Sequence, residues 1–163
     1  MKNIITFVMG LVILLVVSCV QKIDIEAEKT SVKSVLDQFI QASETGDMEL
    51  LSKVYAHDSD MVIFGTHANE RIEGWDNLKK LMQQQFDSTG SSMYAVKNQV
   101  IKVHESGKAA WFSEIIDWEL EYQGELVSMA GLRVTGVLEK RNGAWVIVQL
   151  HYSVPADDQA TQQ

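Results

Sequence analysis

Cysteine and proline are almost absent from this chain, whose 163 residues include one of each. The lone cysteine, Cys19, cannot form an internal disulfide. The single proline, Pro155, stands near the end of the sequence, where we expect it to end the last strand. Only polar and small residues follow it, and we predict that residues 156–163 form a disordered tail.

Basic residues are also scarce, since 14 Lys and Arg stand against 22 Asp and Glu and give a formal net charge of −8. Nucleic acid binding requires clusters of Lys and Arg against the phosphates, and the sequence has no such cluster. No glycine-rich loop follows a predicted strand, as a nucleotide site would need, and no Gly-x-Ser-x-Gly nucleophile motif occurs. We therefore predict no nucleic acid partner and no cofactor.

Possible metal ligands gather in one loop region, namely His57, Asp58, Asp60 and His67. Their spacing does not match a zinc signature, and no cysteine lies near them. We interpret them as solvated loop residues and predict no metal site.

The N-terminus has the features of an export signal. Lys2 precedes an apolar run over residues 4–17 that is too short to span a bilayer comfortably, so we predict a signal peptide over residues 1–18. The sequence Val16-Val17-Ser18-Cys19 resembles the lipobox of bacterial lipoproteins. That resemblance implies a lipid on Cys19, a tether over residues 19–30 and a location in the cell envelope. Val20 instead of Asp implies the periplasmic side of the outer membrane in a Gram-negative host.

Three helices are predicted in the first half of the chain. Residues 26–43 place one apolar stripe at helical spacing, formed by Val32, Val35, Leu36, Phe39 and Ile40. Gly46 ends this helix, and Asp47 is a suitable N-cap for a short second one. A short strand over residues 61–64 follows, and then a third helix from Trp75 to about Phe86.

From residue 93 onward the pattern is that of four long strands, over residues 93–104, 109–122, 126–139 and 144–154. The turns between them contain Gly107, Gln123-Gly124 and Arg141-Asn142-Gly143, and Asn-Gly is a strong hairpin signal. Helices followed by antiparallel strands predict an α+β fold in a single domain over residues 31–155.

The order of these elements and several short motifs resemble the SnoaL-like branch of the NTF2-like superfamily. The motifs are Arg133-Val134-Thr135, Gly143-Ala144-Trp145 and His151-Tyr152-Ser153. The resemblance implies a cone in which N-terminal helices pack on a curved, mostly antiparallel sheet with a pocket between them, and it implies frequent dimers. It implies no single function, because this scaffold hosts isomerases, cyclases, dehydratases, hydrolases and non-enzymes.

Strand pairing can be predicted from the two hairpin turns. If Gln123-Gly124 is a two-residue turn, Glu114 lies opposite Arg133. If Arg141-Asn142-Gly143 is a three-residue turn, Arg133 lies opposite His151. Three strands then carry these side chains as one row on one face. With a two-residue second turn Arg133 would pair with Tyr152 instead, and the row would not form.

The predicted sheet has a mixed and an aliphatic face. The mixed face carries the polar row together with Phe112, Ile116, Trp118, Met129, Gly131 and Trp145, and we assign it to the pocket. The aliphatic face carries Ala109, Trp111, Ile115, Leu132, Val134, Leu138, Val146, Val148 and Leu150, and we assign it to a dimer partner, so we predict a homodimer. The reverse assignment of the two faces is the alternative.

The function that follows is binding of a small polar or anionic organic ligand in the cone pocket. The predicted ligand-binding residues are Arg133, His151, Glu114, Thr135, Gln149, Trp118 and Trp145, and the catalytic candidates are His151 and Glu114. A neighbouring Arg133 would lower the pKa of Glu114 and make it a poor base. The alternatives are an isomerase, cyclase or hydrolase in the same pocket, a non-catalytic dimerisation or partner-binding module, and a purely structural Glu114–Arg133 ion pair. The residues match no specific enzyme constellation of the superfamily.

Overall fold

The computed structural model describes residues 23–122 and 124–155. The predicted signal peptide, Cys19 and the predicted tail lie outside these residues. Within the described part, no helix combines the length and the hydrophobicity that crossing a membrane requires.

The three predicted helices are confirmed as α1 (Ile25–Thr45), α2 (Met48–Val54) and α3 (Trp75–Ser88). Asp24 begins α1 because its carboxylate accepts hydrogen bonds from the first-turn amides, and Gly46 ends it with a left-handed φ of 65°. Because α1 begins at Ile25, part of the predicted tether is helical.

Six strands form one sheet: β1 (Val62–Phe64), β2 (Arg71–Glu73), β3 (Thr89–Val103), β4 (Ala109–Tyr122), β5 (Glu125–Arg141) and β6 (Ala144–Ser153). Their order across the sheet is β2-β1-β6-β5-β4-β3, and only the β1–β6 pair is parallel. The helices pack on this sheet, so the predicted α+β architecture with a mostly antiparallel sheet is confirmed.

The pairing of β4 with β5 matches the prediction only near the turn. Tyr122 pairs with Glu125, and the same register continues to Trp118 opposite Met129. A bulge at Gly131, which has a φ of 74°, then shifts the register by one residue. Glu114 therefore lies opposite Val134, so the predicted Glu114–Arg133 pair is wrong.

The second hairpin also departs from the predicted register. Arg141 pairs with Ala144, so Asn142 and Gly143 form a two-residue turn, and both have positive φ. A second bulge follows. Leu138 pairs with Ile147 and Val137 pairs with Gln149, so Val148 of β6 is an extra residue without a partner on β5. Arg133 consequently pairs with Ser153, and His151 pairs with Thr135. The predicted row of Glu114, Arg133 and His151 does not exist.

The sheet has a helix-facing side and an opposite side, called the inner face and the outer face below. The inner face is buried and holds Ala110, Phe112, Glu114, Ile116, Leu132, Val134, Gly136, Leu138, Trp145, Ile147 and Leu150. The outer face holds Trp111, Ser113, Ile115, Arg133, Thr135, Val137, Gln149 and His151, which are exposed or half-buried.

The predicted division into faces was right for one part of the sheet and wrong for the rest. Phe112, Glu114 and Ile116 of β4 lie inside as predicted. Beyond the two bulges the predicted sides are exchanged. Arg133 and His151 lie outside, whereas four of the residues predicted to meet a dimer partner, Leu132, Val134, Leu138 and Leu150, are in the core. Val146 and Val148, also predicted to meet the partner, are half-buried and lie outside the core.

Candidate functional site inside the cone

Glu114 is the acidic side chain that the fold buries. It lies on the inner face, is 3 % exposed, and is flanked along β4 by Phe112 and Ile116. Gln99 donates a hydrogen bond to it over 2.7 Å. A register shift in β3, where Asn98 adopts a φ of 51°, brings Gln99 into this position at the sheet edge.

The surroundings of Glu114 disfavour its charged form. Burial raises the pKa of this carboxyl, the hydrogen bond from Gln99 opposes that effect, and the negative charge of Asp37 on α1 adds to it. No Lys or Arg of the described residues forms an ion pair with Glu114. The charge of Lys33 lowers the pKa of Glu114 slightly, but Lys33 itself pairs with Asp37. The sequence-based expectation of a lowered pKa is therefore replaced by a raised one.

Tyrosine side chains share the interior with Glu114. Tyr55, at the end of α2, is 4 % exposed and packs edge-on against Phe39 with ring centroids 5.9 Å apart. Tyr152 of β6 is its polar neighbour, and burial raises the pKa of both phenols. The charge of Glu114 contributes to the raised pKa of Tyr152, which places the two groups in one electrostatic environment.

Tyr94 belongs to the same group of side chains. It lies opposite Trp118 on the neighbouring strand, and burial raises its pKa as well. Trp118 and Met129 form a cross-strand pair that packs against the core beside it. The interior therefore combines a carboxyl whose pKa is raised, three phenols and the apolar side chains of Trp118 and Met129. We call Glu114, Tyr55, Tyr94 and Tyr152 the interior polar cluster.

The three tyrosines of this cluster were not among the residues predicted for the site. Tyr152 is placed inside by the bulge at Val148, because the extra residue reverses the side on which the following residues of β6 lie. Tyr55 follows a helix that is too short to define a buried stripe. An available signal was the isolated Gly131 within a strand pattern, which often marks a bulge.

Trp145, a predicted ligand-binding residue, makes a structural contact with the first helix. Its indole Nε1 donates to Glu28 of α1 over 2.8 Å, and Lys140 donates to the same carboxylate over 2.6 Å. The hydrogen bonds from Lys140 and Trp145 hold the pKa of Glu28 below its ordinary value. These contacts fasten the start of α1 to the second hairpin.

The other predicted site residues lie on the outer face. Arg133 is exposed, and exposed His151 contacts the ring of Phe64 edge-on at 5.8 Å between centroids. Thr135 and Gln149 line an open groove of about 440 Å³, together with Trp111 and Lys102. The sheet lies between the four predicted site residues, Arg133, His151, Thr135 and Gln149, and Glu114.

The loop residues considered as metal ligands remain apart. His57 stacks on Trp75 at 4.5 Å and bonds to the backbone oxygen of Ser52, whereas Asp58 forms an ion pair with Arg141. Across residues 23–122 and 124–155, no three His, Cys, Asp or Glu side chains are arranged to hold a metal ion.

The fold has close structural counterparts at low sequence identity. A dehydratase candidate of the NTF2-like family from Streptomyces avermitilis superposes with a TM-score of 0.71 at 16% identity, covering 80% of this chain and 97% of the other. An NTF2-like superfamily protein from Salmonella enterica gives 0.71 at 18% identity, covering 80% and 92%. The association domain of CaMKII from C. elegans gives 0.62 at 21% identity, covering 79% and 97%.

These similarities define the class, which is the NTF2-like fold. The family model of the SnoaL-like domain matches residues 32–157. The chain therefore belongs to the SnoaL-like domain family. No curated protein matches the sequence significantly. Among the described residues, the family match contains every buried residue of the hydrophobic core, so residues 20–163 suit expression as a folded domain.

Proposed function

We propose that this domain binds a small, uncharged polar organic ligand inside the cone, where the interior polar cluster orients it. The observation that supports this most is Glu114, a carboxyl 3 % exposed on an otherwise apolar inner face. Burial of such a group lowers stability, and the hydrogen bond from Gln99 offsets this cost only in part, because the pKa of Glu114 is still raised. A bound ligand therefore explains the position of Glu114 better than folding does.

The chemistry of the cluster favours a neutral ligand over an anionic one. The raised pKa values of Glu114 and of the phenols favour their protonated forms, which can donate hydrogen bonds to a carbonyl or hydroxyl oxygen. Arg133, which was expected to hold an anion, is on the other side of the sheet. Tyr94, Trp118 and Met129 supply the apolar contact that such a ligand needs.

A thermal-shift screen of residues 20–163 tests the proposal with cyclic ketones, phenols and the carboxylates of matching size. We expect neutral compounds to raise Tm, and a ligand at a hundred times its Kd adds about 2.7 kcal/mol of stability. Tyr152→Phe and Glu114→Val should abolish the shift, whereas the outer-face control Arg133→Ala should preserve it. Shifts that disappear only in Arg133→Ala would place the site outside and refute the proposal.

An acid–base enzyme using the same cluster is the second candidate, and the raised pKa of Glu114 is the observation that favours it. Burial shifts the pKa of Glu114 upward, in the direction that suits a carboxyl to act as a general acid. Glu114→Gln separates the two functions, because the amide can still donate a hydrogen bond but cannot transfer a proton. If the protein is an enzyme, the wild type converts the ligand and this variant does not. If it is a binding protein, the ligand is recovered unchanged from both.

We also propose that the domain forms a homodimer through the outer face. Trp111, Val100 and Phe64 there are 49%, 50% and 42% exposed, which is unusual for large apolar side chains on one face. A structural neighbour that is an association domain is consistent with assembly. Light scattering on residues 20–163 should give the mass of a dimer, and Trp111→Ser should shift it towards the monomer. A monomeric wild type at micromolar concentration would contradict this.

The sequence before α1 supports a further proposal, that the domain is exported and tethered by a lipid on Cys19. Intact-mass measurement of the membrane-extracted protein should show loss of residues 1–18 and the added mass of acyl chains. Cys19→Ala should release the protein from the membrane fraction. A soluble product that retains Met1 would contradict export.

A further inference from the structure

The far end of the β4–β5 hairpin, with the adjoining start of β3, carries unusually exposed apolar side chains. Leu126 is 74% exposed and Met93 is 64% exposed, the two highest values among the large apolar residues exposed in the described structure. Met93 pairs with Glu119 and Leu126 pairs with Glu121, so alternation of side chains places all four on one side of the three strands. We call these four residues the tip surface.

The two carboxylates of the tip surface have no opposite charge near them. Glu119 and Glu121 are exposed, and neither forms an ion pair within the described residues. The described residues of the three strands at this end, 89–96 and 118–130 without Gln123, include no Lys or Arg. The closest cation along β3, Lys97, is paired with Asp117. Unneutralised carboxylates beside exposed apolar side chains suit a partner that supplies both basic and apolar groups.

The position of the tip surface in the fold argues against a lipid membrane as its partner. The chain enters the fold beside the turn between β3 and β4, where Ile23 lies against Gly107. The tip is near the opposite end of β4, a strand of 14 residues, and lies about 35–40 Å away along that strand. If Cys19 carries the lipid proposed above, the tip surface points away from the membrane. Acidic side chains would also repel anionic lipid headgroups.

From these observations we infer that the tip surface docks a basic amphipathic segment of another protein. Apolar side chains of that segment cover Met93 and Leu126, while its Lys or Arg side chains pair with Glu119 and Glu121. Gly90 has no side chain, and the side chain of Glu121 occupies the space beside its exposed backbone. The net charge of −8 accelerates the encounter with a basic partner at low salt.

Fluorescence anisotropy with a labelled eight-residue peptide of alternating Lys and Leu tests this inference on residues 20–163. We expect saturable binding that weakens about tenfold in Glu119→Gln/Glu121→Gln and about tenfold in Met93→Ser/Leu126→Ser. The matched control Asp60→Asn/Glu105→Gln changes the net charge equally but lies elsewhere, and it should change the affinity less than about twofold. A peptide of alternating Glu and Leu should not bind.

Three results would overturn the inference. Equal weakening by the control pair would mean that net charge alone attracts the peptide. Binding to phosphatidylcholine vesicles that is lost in Met93→Ser/Leu126→Ser would identify a lipid surface instead. A fall in mass by light scattering in the same variant would identify the tip surface as a contact between copies of this chain. Because every substituted side chain is exposed, an unchanged circular dichroism spectrum is expected for each variant.

Discussion

The two faces of the sheet place neighbouring residues in opposite physical environments. On the inner face Glu114, Val134 and Tyr152 form one cross-strand row, whereas Ser113, Thr135 and His151 form the adjacent row on the outer face. The inner row buries a carboxyl that forms no ion pair within the described residues, and the outer face leaves Arg133 and His151 exposed to solvent. Glu114, Arg133 and His151, which the sequence predicts to form one site, therefore lie on two sides of the sheet. Only the inner side offers a desolvated environment.

The largest effect that distinguishes the faces should come from truncating a core side chain. Leu138→Ala removes a fully buried inner residue and should lower the free energy of unfolding by about 2–5 kcal/mol. Thr135→Ala, on the outer face of the same strand, should change it by less than about 0.5 kcal/mol. Urea unfolding measures both. Similar losses in the two variants would mean that the faces are not divided as described.

The bulge that divides the faces should itself be sensitive to substitution. Gly131 has a φ of 74°, its amide donates to Asp117 over 2.9 Å, and no atom would crowd an added Cβ. Gly131→Val should therefore cost about 1–2 kcal/mol through backbone strain alone. Gly131→Asn, which tolerates this conformation, should cost clearly less. If both substitutions lower the free energy of unfolding equally, the left-handed conformation of Gly131 does not determine the strand register.

The fold could be predicted well from the sequence because its signals are local. The stripe from Val32 to Ile40, the cap at Asp47 and the turn at Asn142-Gly143 each specify a nearby element. The register beyond each turn could not be predicted in the same way. One inserted residue reverses every following side chain, and the inserted residues at Gly131 and Val148 depend on contacts across strands.

The candidate site was predicted only where no bulge intervenes. Glu114 and Trp118 precede the bulges and lie on the predicted side, whereas Arg133 and His151 follow them and do not. Trp145 lies inside as predicted, yet its indole bonds to Glu28, a contact between residues far apart in sequence. The roles proposed for these residues in ligand binding stay predictions.

Glu28 offers a contrast to Glu114, since their pKa values move in opposite directions. The folded pKa of Glu28 is below its ordinary 4.5, so its contribution to stability is present above that pH and is lost as pH falls through the folded pKa. Glu28→Gln should therefore destabilise by about 1 kcal/mol at pH 7 and by almost nothing at pH 3. A loss that is independent of pH would show that charge is not what Glu28 contributes.

Glu114→Gln should behave in the reverse manner, with a smaller effect. The folded pKa of Glu114 is raised, so the contribution of this side chain to stability is most favourable below pH 4.5 and becomes less favourable as pH rises through the folded pKa. The variant should match the wild type near pH 4 and become the more stable protein, by less than about 1 kcal/mol, near pH 8. Thermal unfolding across this range tests the sign, and a variant that is less stable at pH 8 would contradict it.

The most direct test of the inner-face site is an NMR titration of Glu114 with ¹³C-labelled glutamate side chains in residues 20–163. We predict a pKa above the ordinary 4.5, an unchanged value in Arg133→Ala, and a further increase in Gln99→Ala, because the hydrogen bond from Gln99 stabilises the carboxylate. A pKa at or below 4.5 that rises in Arg133→Ala would show that Glu114 and Arg133 form an ion pair, and it would contradict the separation of the two faces.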